Sequence, residues 1–355
     1  MARATALALR GWGRVAPNPL VGAVLLRDGT PVADGFHAEY GGPHAEAAAL
    51  ARCDDARGTT CVVTLEPCAH HGKTPPCADA LIAAGVTRVV IAGRDPGAEA
   101  RGGVERLRAA GVEVTIGTEA REAAAMNAAY LWGVARPERP FVALKLATSV
   151  DGFIADVAGG SKWISGEAAR EFVHWLRAGF DAIGVGRRTV EVDDPALTVR
   201  GAVVPRNVPL RVVFARDGMV PSDGRLIATA SETATLVIVG SGVAGRAAAQ
   251  LGRFGVRVLG ADGLGDALRV LRGEGVRSLL VEGGGQLAGA LLDAGLVDRL
   301  YWIQSPIWLG GGVTAFGTRN AVPLAEALPW SVVERRALGP DTLLVVDREL
   351  CLPAS

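Results

Sequence analysis

The stretch from Thr64 to Cys77 reads TLEPCAHHGKTPPC, and upstream of it PHAEA places His44 two residues before Glu46. An imidazole and two thiols, those of His44, Cys68 and Cys77, are donor types that zinc takes, and a catalytic zinc site draws three ligands from protein while leaving the fourth position to water. Such a metal lowers the pKa of water to about 7, where a neighbouring carboxylate can pass the proton to a leaving amine. Glu46 is the candidate for that task. His-x-Glu followed by Pro-Cys is the order of the zinc-dependent deaminases, although eight residues rather than two separate the cysteines here. His70 and His71 remain alternative ligands. The insertion AHHGKTPP is better suited to face substrate, where His70 and Lys73 can meet a phosphate.

These side chains meet only if the right elements carry them. His44 follows Pro43 at the start of the Ala-rich run HAEAAALARC, and Cys77 follows Pro75 and Pro76 at the start of CADALIAAG, so both open helices. The positive end of a helix favours thiolate over thiol. Two residues apart in mid-helix point to opposite sides, so His44 and Glu46 share a site only at a helix end. Around them the first half alternates strand-like and helix-like runs. LVGAVLLR and PVADGFH read as strands paired around DGT, TTCVVTLE, VTRVVIAG and VEVTIG as further strands, and GVERLRAAG as a helix. This alternation predicts a layered α/β domain.

RPERP, residues 136–140, can continue neither a helix nor a central strand. We therefore place domains at 1–138 and 139–355. A chain of 355 residues supports two cores. Lys plus Arg and Asp plus Glu balance at 37 each, and at 15 each up to Pro140, so no basic surface marks a nucleic-acid partner and a small molecule is the expected one. No signal peptide or membrane-spanning apolar run is read, which predicts a cytoplasmic protein with no membrane partner. Five cysteines are too few for a disulfide framework, and Cys53, Cys61 and Cys351 read as ordinary small residues.

The second half restarts with the strand FVALKLATSVDG, the helix GEAAREFVHWLRAG and the strand DAIGVG, then further βα units. Two glycine clusters compete for a phosphate-bearing cofactor. Gly240, Gly242 and Gly245 make Gly-x-Gly-x-x-Gly after a strand, with Asp262 beyond the next strand, which is the dinucleotide fingerprint in its proper context. SLLVEGGGQLAGALL also runs strand, glycines, helix. Spacing alone does not rank them. Arg177 and Arg200 are forks suited to a phosphate, and Glu282 can accept from hydroxyls. YWIQSPIWLGGG reads either as a subunit contact or as a buried edge strand.

Taken together, APNPLVGAV, PHAEAAAL and TLEPCAHHGKTPPCADALIAAG resemble the deaminase half of the bifunctional riboflavin-biosynthesis deaminase/reductase family, and KLATSVDG, SKWISG, DDPALTVR and VEGGGQLAGALLDAGLVD resemble its reductase half. The resemblance covers nearly the whole chain. It implies a cytidine-deaminase-like three-layer domain followed by a dihydrofolate-reductase-like domain. The implied reactions are hydrolytic deamination of 2,5-diamino-6-ribosylamino-4(3H)-pyrimidinone 5′-phosphate, then NADPH reduction of its ribosyl group to ribityl. By matching position it implies zinc on His44, Cys68 and Cys77, proton transfer by Glu46, and substrate contact at Asn18. It further implies NADPH contacts at Ala147, Trp163, Thr189, Asp193 and the run Gly284, Gly285, Gln286, Leu287, Ala288, Gly289 and Ala290. Substrate contacts are implied at Ser161, Arg177, Leu197, Arg200 and Glu282. No general acid for the reductase stands out; Lys145 and Asp151 are possible. Where the family has DPNP, this chain has Gly97 and Ala98 in place of Asn and Pro, and it carries Arg187, Arg188 and Arg216 where smaller residues are common, one of which is expected to meet the 2′-phosphate of NADPH. A homo-oligomer is expected. The rival readings are a nucleic-acid-editing deaminase, against which the absent basic surface speaks, and a non-catalytic sensor, which has no need of Glu46.

Overall fold

The computed structural model describes residues 1–349 except 71–74, 99–100, 163, 318–320 and 328, so His71, Lys73 and Trp163 lie outside the described residues. The chain divides into compact units at Arg136/Pro137, two residues before the border placed from RPERP.

In the first unit, α1 (Ala2–Ala8) precedes the antiparallel pair β1 (Gly22–Arg27) and β2 (Thr30–Phe36), which turn through Asp28 and Gly29 at positive φ. Next come α2 (Ala45–Leu50), β3 (Thr60–Val63), α3 (Cys77–Ala83), β4 (Arg88–Ile91), α4 (Gly103–Ala109), β5 (Glu113–Ile116), α5 (Ala120–Met126) and α6 (Ala128–Ala135). The sheet order is β2-β1-β3-β4-β5, with β3, β4 and β5 parallel. Leu25, Val63, Leu81, Val89, Ile91 and Leu107 fill its core. Parallel strands covered on both faces need apolar runs, which explains why TCVV and RVVI are so short and still so legible. Their carboxyl ends deliver Thr64 to Cys68 and Ala92 to Asp95 to the same edge of the sheet, where α2 and α3 begin.

The second unit is built on β6 (Phe141–Thr148), β7 (Phe153–Ala155), α7 (Glu167–Ala178), β8 (Ala182–Gly186), α8 (Arg187–Asp193), β9 (Leu210–Phe214), α9 (Arg225–Ala228), β10 (Thr235–Val239), α10 (Ala244–Leu251), β11 (Arg257–Gly260), α11 (Leu264–Gly273), β12 (Ser278–Glu282), α12 (Gly285–Asp293), β13 (Arg299–Gln304), β14 (Val313–Thr314), β15 (Ser331–Leu338) and β16 (Asp341–Asp347). Its large sheet runs β11-β10-β9-β8-β12-β6-β13-β16-β15, parallel up to β13 and antiparallel at the β16 and β15 end. The segment YWIQ is an interior strand, not an edge: β13 lies between β6 and β16, with Tyr301 and Ile303 buried. Of its large apolar side chains, Ile307 and Trp308 just beyond the strand are exposed, Trp308 at 75%. Among the described residues no helix is long and apolar enough to cross a membrane.

Candidate functional site: a metal-ligand cluster and a glycine cradle

In the first unit, the His44 Nδ1 lies 3.6 Å from Cys68 Sγ and 3.3 Å from Cys77 Sγ, and all three donor atoms fall within 4.8 Å of one another. Zinc bound at about 2.0 Å to nitrogen and about 2.3 Å to sulfur spans tetrahedral edges of about 3.5 Å, so the spacing and the donor chemistry both fit that ion. His44 is the residue before the first turn of α2, in extended conformation, and Cys77 is the first residue of α3. The backbone N–H of Cys77 donates to Cys68 Sγ at 3.4 Å, a contact open only to a residue at a helix start. The hydrogen bond from the Cys77 thiol, outweighing burial, holds the Cys68 thiol below the ordinary thiol range, and the same bond pushes the Cys77 thiol up. Beneath this loop α4 begins at Gly103, where a side chain would overlap the Pro67 carbonyl oxygen.

Glu46 is only 3% exposed, and burial raises its carboxyl above the ordinary range. It lines a cavity of about 480 Å³ together with His44, Cys68, Asn18 and His70. His70 lies in that wall with a buried Nδ1 that has no partner among the described residues, and it stands outside the three-donor group. Asn18 is held by a residue the sequence did not single out. His37 Nδ1 lies 2.9 Å from the Pro43 carbonyl and must donate to it, which leaves Nε2 to accept from Asn18 Nδ2 at 3.1 Å. The Asn18 oxygen is thereby the end left for a ligand. Gly97 and Ala98 also line the cavity, and the Gly97 N–H donates to Asp95 Oδ1, so the altered loop still contributes through its backbone.

In the second unit the two glycine clusters separate cleanly. Side chains at Gly242 and Gly245 would meet open space, and Gly240 has an ordinary negative φ, although a side chain there would come within 3.0 Å of the Arg216 carbonyl oxygen. By contrast Gly283 and Gly284 adopt φ of +81 and +53 with the Thr189 side chain against both, and a side chain at Gly285 would overlap the Thr314 carbonyl. Glycine is needed in the second cluster, where it frees the backbone N–H groups opening the nine-residue α12. That donor set, with Thr189 beside it at the carboxyl ends of β8 and β12, fits a dinucleotide phosphate. Exposure along the run 284–290 is uneven: the Ala288 N–H donates to the Gly284 carbonyl, Ala288 and Gly289 are buried, and Ala290 is exposed. The donors that α12 leaves open are the N–H groups of its cap and first turn, Gly284 to Leu287.

Ser161 donates its hydroxyl to Asp193 Oδ1 at 2.8 Å. Arg177 forks onto Glu282 at 2.6 and 2.9 Å and donates from Nη1 to the Thr198 carbonyl, so these two stand as one ion pair with one N–H left on each Nη. Burial would raise the Glu282 carboxyl, but Arg177 and Lys145 hold it below its ordinary value. Arg200 is exposed beside Thr198, while the Leu197 side chain sits in the core at φ +49, leaving only its backbone for a ligand. Ala147 lies at the carboxyl end of β6, opposite Ile303. Asp151 accepts from the N–H groups of Leu309 and Gly310 and so anchors that loop, whereas Lys145 pairs in register with Glu282. Arg187 is spent on Glu191 and Asp217.

Residues 1–93 match the cytidine and deoxycytidylate deaminase zinc-binding region, and residues 140–344 match the RibD C-terminal domain. The chain is 38% identical to the riboflavin biosynthesis protein RibD of Escherichia coli over 97% of each chain, and 40% identical to that of Mycobacterium tuberculosis over 94% of this chain and 91% of the relative. It resembles the solved deaminase/reductase of Thermotoga maritima at TM-score 0.82 and 37% identity, covering 98% of this chain and 97% of that one. The chain belongs to the RibD family. As a RibD-family protein it is a bifunctional enzyme of riboflavin biosynthesis, with a zinc-dependent deaminase in the first unit and an NADPH-dependent reductase in the second. The expected cytidine-deaminase-like and dihydrofolate-reductase-like folds both hold.

Proposed function

We propose that the first unit hydrolyses the ring amino group of 2,5-diamino-6-ribosylamino-4(3H)-pyrimidinone 5′-phosphate and that the second reduces the ribosyl group of its product to ribityl. The observation that carries this reading is the convergence of His44, Cys68 and Cys77 at the wall of a cavity that His44, Cys68 and buried Glu46 line. Zinc held there supplies a Lewis acid that makes water acidic enough to react near neutrality. Glu46 then takes the proton from the attacking water and delivers it to the amine, which leaves as ammonia. Asn18 presents its oxygen to the substrate, and His70 with Lys73 receives its phosphate.

In the second unit NADPH supplies the hydride for the ribosyl C1′. Thr189 and the N–H groups of Gly284 to Leu287 hold its phosphates, with Ala147, Trp163 and Asp193 completing that site. Ser161, the Arg177–Glu282 pair, Arg200 and the Leu197 backbone orient the sugar phosphate. With Arg187 paired, Arg188 and Arg216 are the cations left for the 2′-phosphate. Replacing both by alanine should lower the NADPH-over-NADH preference in kcat/KM by about tenfold or more, by loss of charge-assisted contacts. An unchanged preference would remove that assignment.

The deciding experiment is product analysis with the diaminopyrimidinone. Without NADPH the deaminated ribosylamino compound and ammonia should accumulate, and with NADPH the ribityl product should replace it. Ammonia release from deoxycytidylate but not from this substrate would point instead to a nucleotide deaminase. Cytoplasmic location and self-association complete the proposal. The exposed Ile307 and Trp308 support the latter, and the mass in solution tests it.

A further inference from the structure

Asn127, Tyr130 and Val134 follow at spacings of three and four residues and so share one face of α6 and its cap. Asn127, 4% exposed, accepts the Leu20 N–H at 2.8 Å and donates to the Leu20 carbonyl at 2.9 Å. Leu20 is two residues beyond Asn18, so this fastening draws α6 against the wall of the deaminase cavity. Tyr130, one turn on, lines that cavity, and its hydroxyl donates to Asp95 Oδ1 at 2.8 Å. The Gly97 N–H donates to the same oxygen, also at 2.8 Å.

Asp95 is 6% exposed and has no cationic partner among the described residues. With two donors on Oδ1, its Oδ2 is left without a hydrogen bond among the described residues, and Asp95 stands in the cavity wall. Nearby Glu66, which also lines the cavity, has both oxygens engaged, one accepting from the N–H of Asp95 and the other from that of Val104. A buried carboxylate with one satisfied and one open oxygen is costly unless a ligand donor completes it.

We propose that Asp95 is a specificity-determining acceptor for an N–H donor on the aminopyrimidine ring, and that Tyr130 is the positioning residue that fixes which of its oxygens meets the substrate. This rests on the deaminase reading above. Sequence singled out the loop that carries Asp95 without giving that residue a role, and it did not point to Tyr130, because the cavity joins the end of β4 to a helix more than thirty residues later.

The test measures ammonia release against substrate concentration for the full, zinc-loaded chain and for Tyr130→Phe, Asp95→Asn and the double variant, with NADPH-dependent reduction of pre-deaminated substrate as an internal control. Tyr130→Phe should raise KM about tenfold while kcat stays within about twofold, as for loss of a hydrogen bond to a charged group. Asp95→Asn should raise KM further, and adding Tyr130→Phe to it should have no additional effect. Zinc content and reductase turnover should match wild type throughout. A Tyr130→Phe enzyme with wild-type KM, or an equal loss in both backgrounds, overturns the inference alone. A wild-type chain that releases no ammonia from this substrate overturns the deaminase reading and the inference with it.

Discussion

Glu46 owes its usefulness to where it is buried. At the first turn of α2 it stands beside a metal-ligand cluster, and burial holds its carboxyl pKa up, which suits a group that must both take and return a proton. Glu46→Gln keeps the volume and loses the proton. We expect it to lower ammonia release by about a hundredfold or more while zinc remains bound stoichiometrically, as metal analysis beside the turnover assay would show. Normal turnover would remove Glu46 from the mechanism. His44, Cys68 and Cys77 were legible as a set because residue type, order and helix starts agreed. His37 was not, since its task is to fix the Asn18 amide from a strand end, and a lone histidine there carries no pattern.

At the scale of elements, βα units were readable wherever strand and helix alternate locally. What the sequence could not convey was long-range pairing: the small β7–β14 sheet joins segments about 160 residues apart. Periodicity likewise could not choose between the glycine clusters, because both follow a strand and open a helix. Backbone conformation and crowding favour the cluster at Gly283 to Gly285. Gly285→Ala should clash with the Thr314 carbonyl, destabilise the second unit by about 1–3 kcal/mol in chemical denaturation and raise the KM for NADPH. Gly245→Ala, in α10 with open space around it, should be neutral or slightly stabilising and leave reduction unchanged. A reversed ranking of the two would return the cofactor to the Gly240 loop. The Arg177–Glu282 pair belongs to the same scale. The lowered Glu282 pKa adds stability that is fully present above the unfolded value of about 4.3 and is lost as pH falls through the folded value. In Glu282→Gln the denaturation midpoint should therefore fall less steeply below about pH 4 than in wild type.

For the whole molecule, each unit has its own sheet and its own core, with Leu81 and Ile91 in one and Leu144 and Leu279 in the other. The metal-ligand cluster lies wholly in the first. A chelator should accordingly abolish ammonia release while leaving NADPH oxidation with pre-deaminated substrate within about twofold, and added zinc should restore the first activity. Equal loss of both would contradict the division of labour. Two domains were readable from length and from RPERP, and the motif blocks from their residues. The strand order of the second sheet and the cavity partners Asp95 and Tyr130 depend on which surfaces meet, and that is not written in any local spacing.

The junction at Gly103 extends the vulnerable territory of the first unit beyond its reactive groups. Since α4 starts hard against Pro67, the neighbour of Cys68, even a methyl there must displace the backbone that aims the thiolate. A chemically inert position twenty-six residues past Cys77 is therefore a place where the smallest inherited change would silence the enzyme without touching a reactive atom.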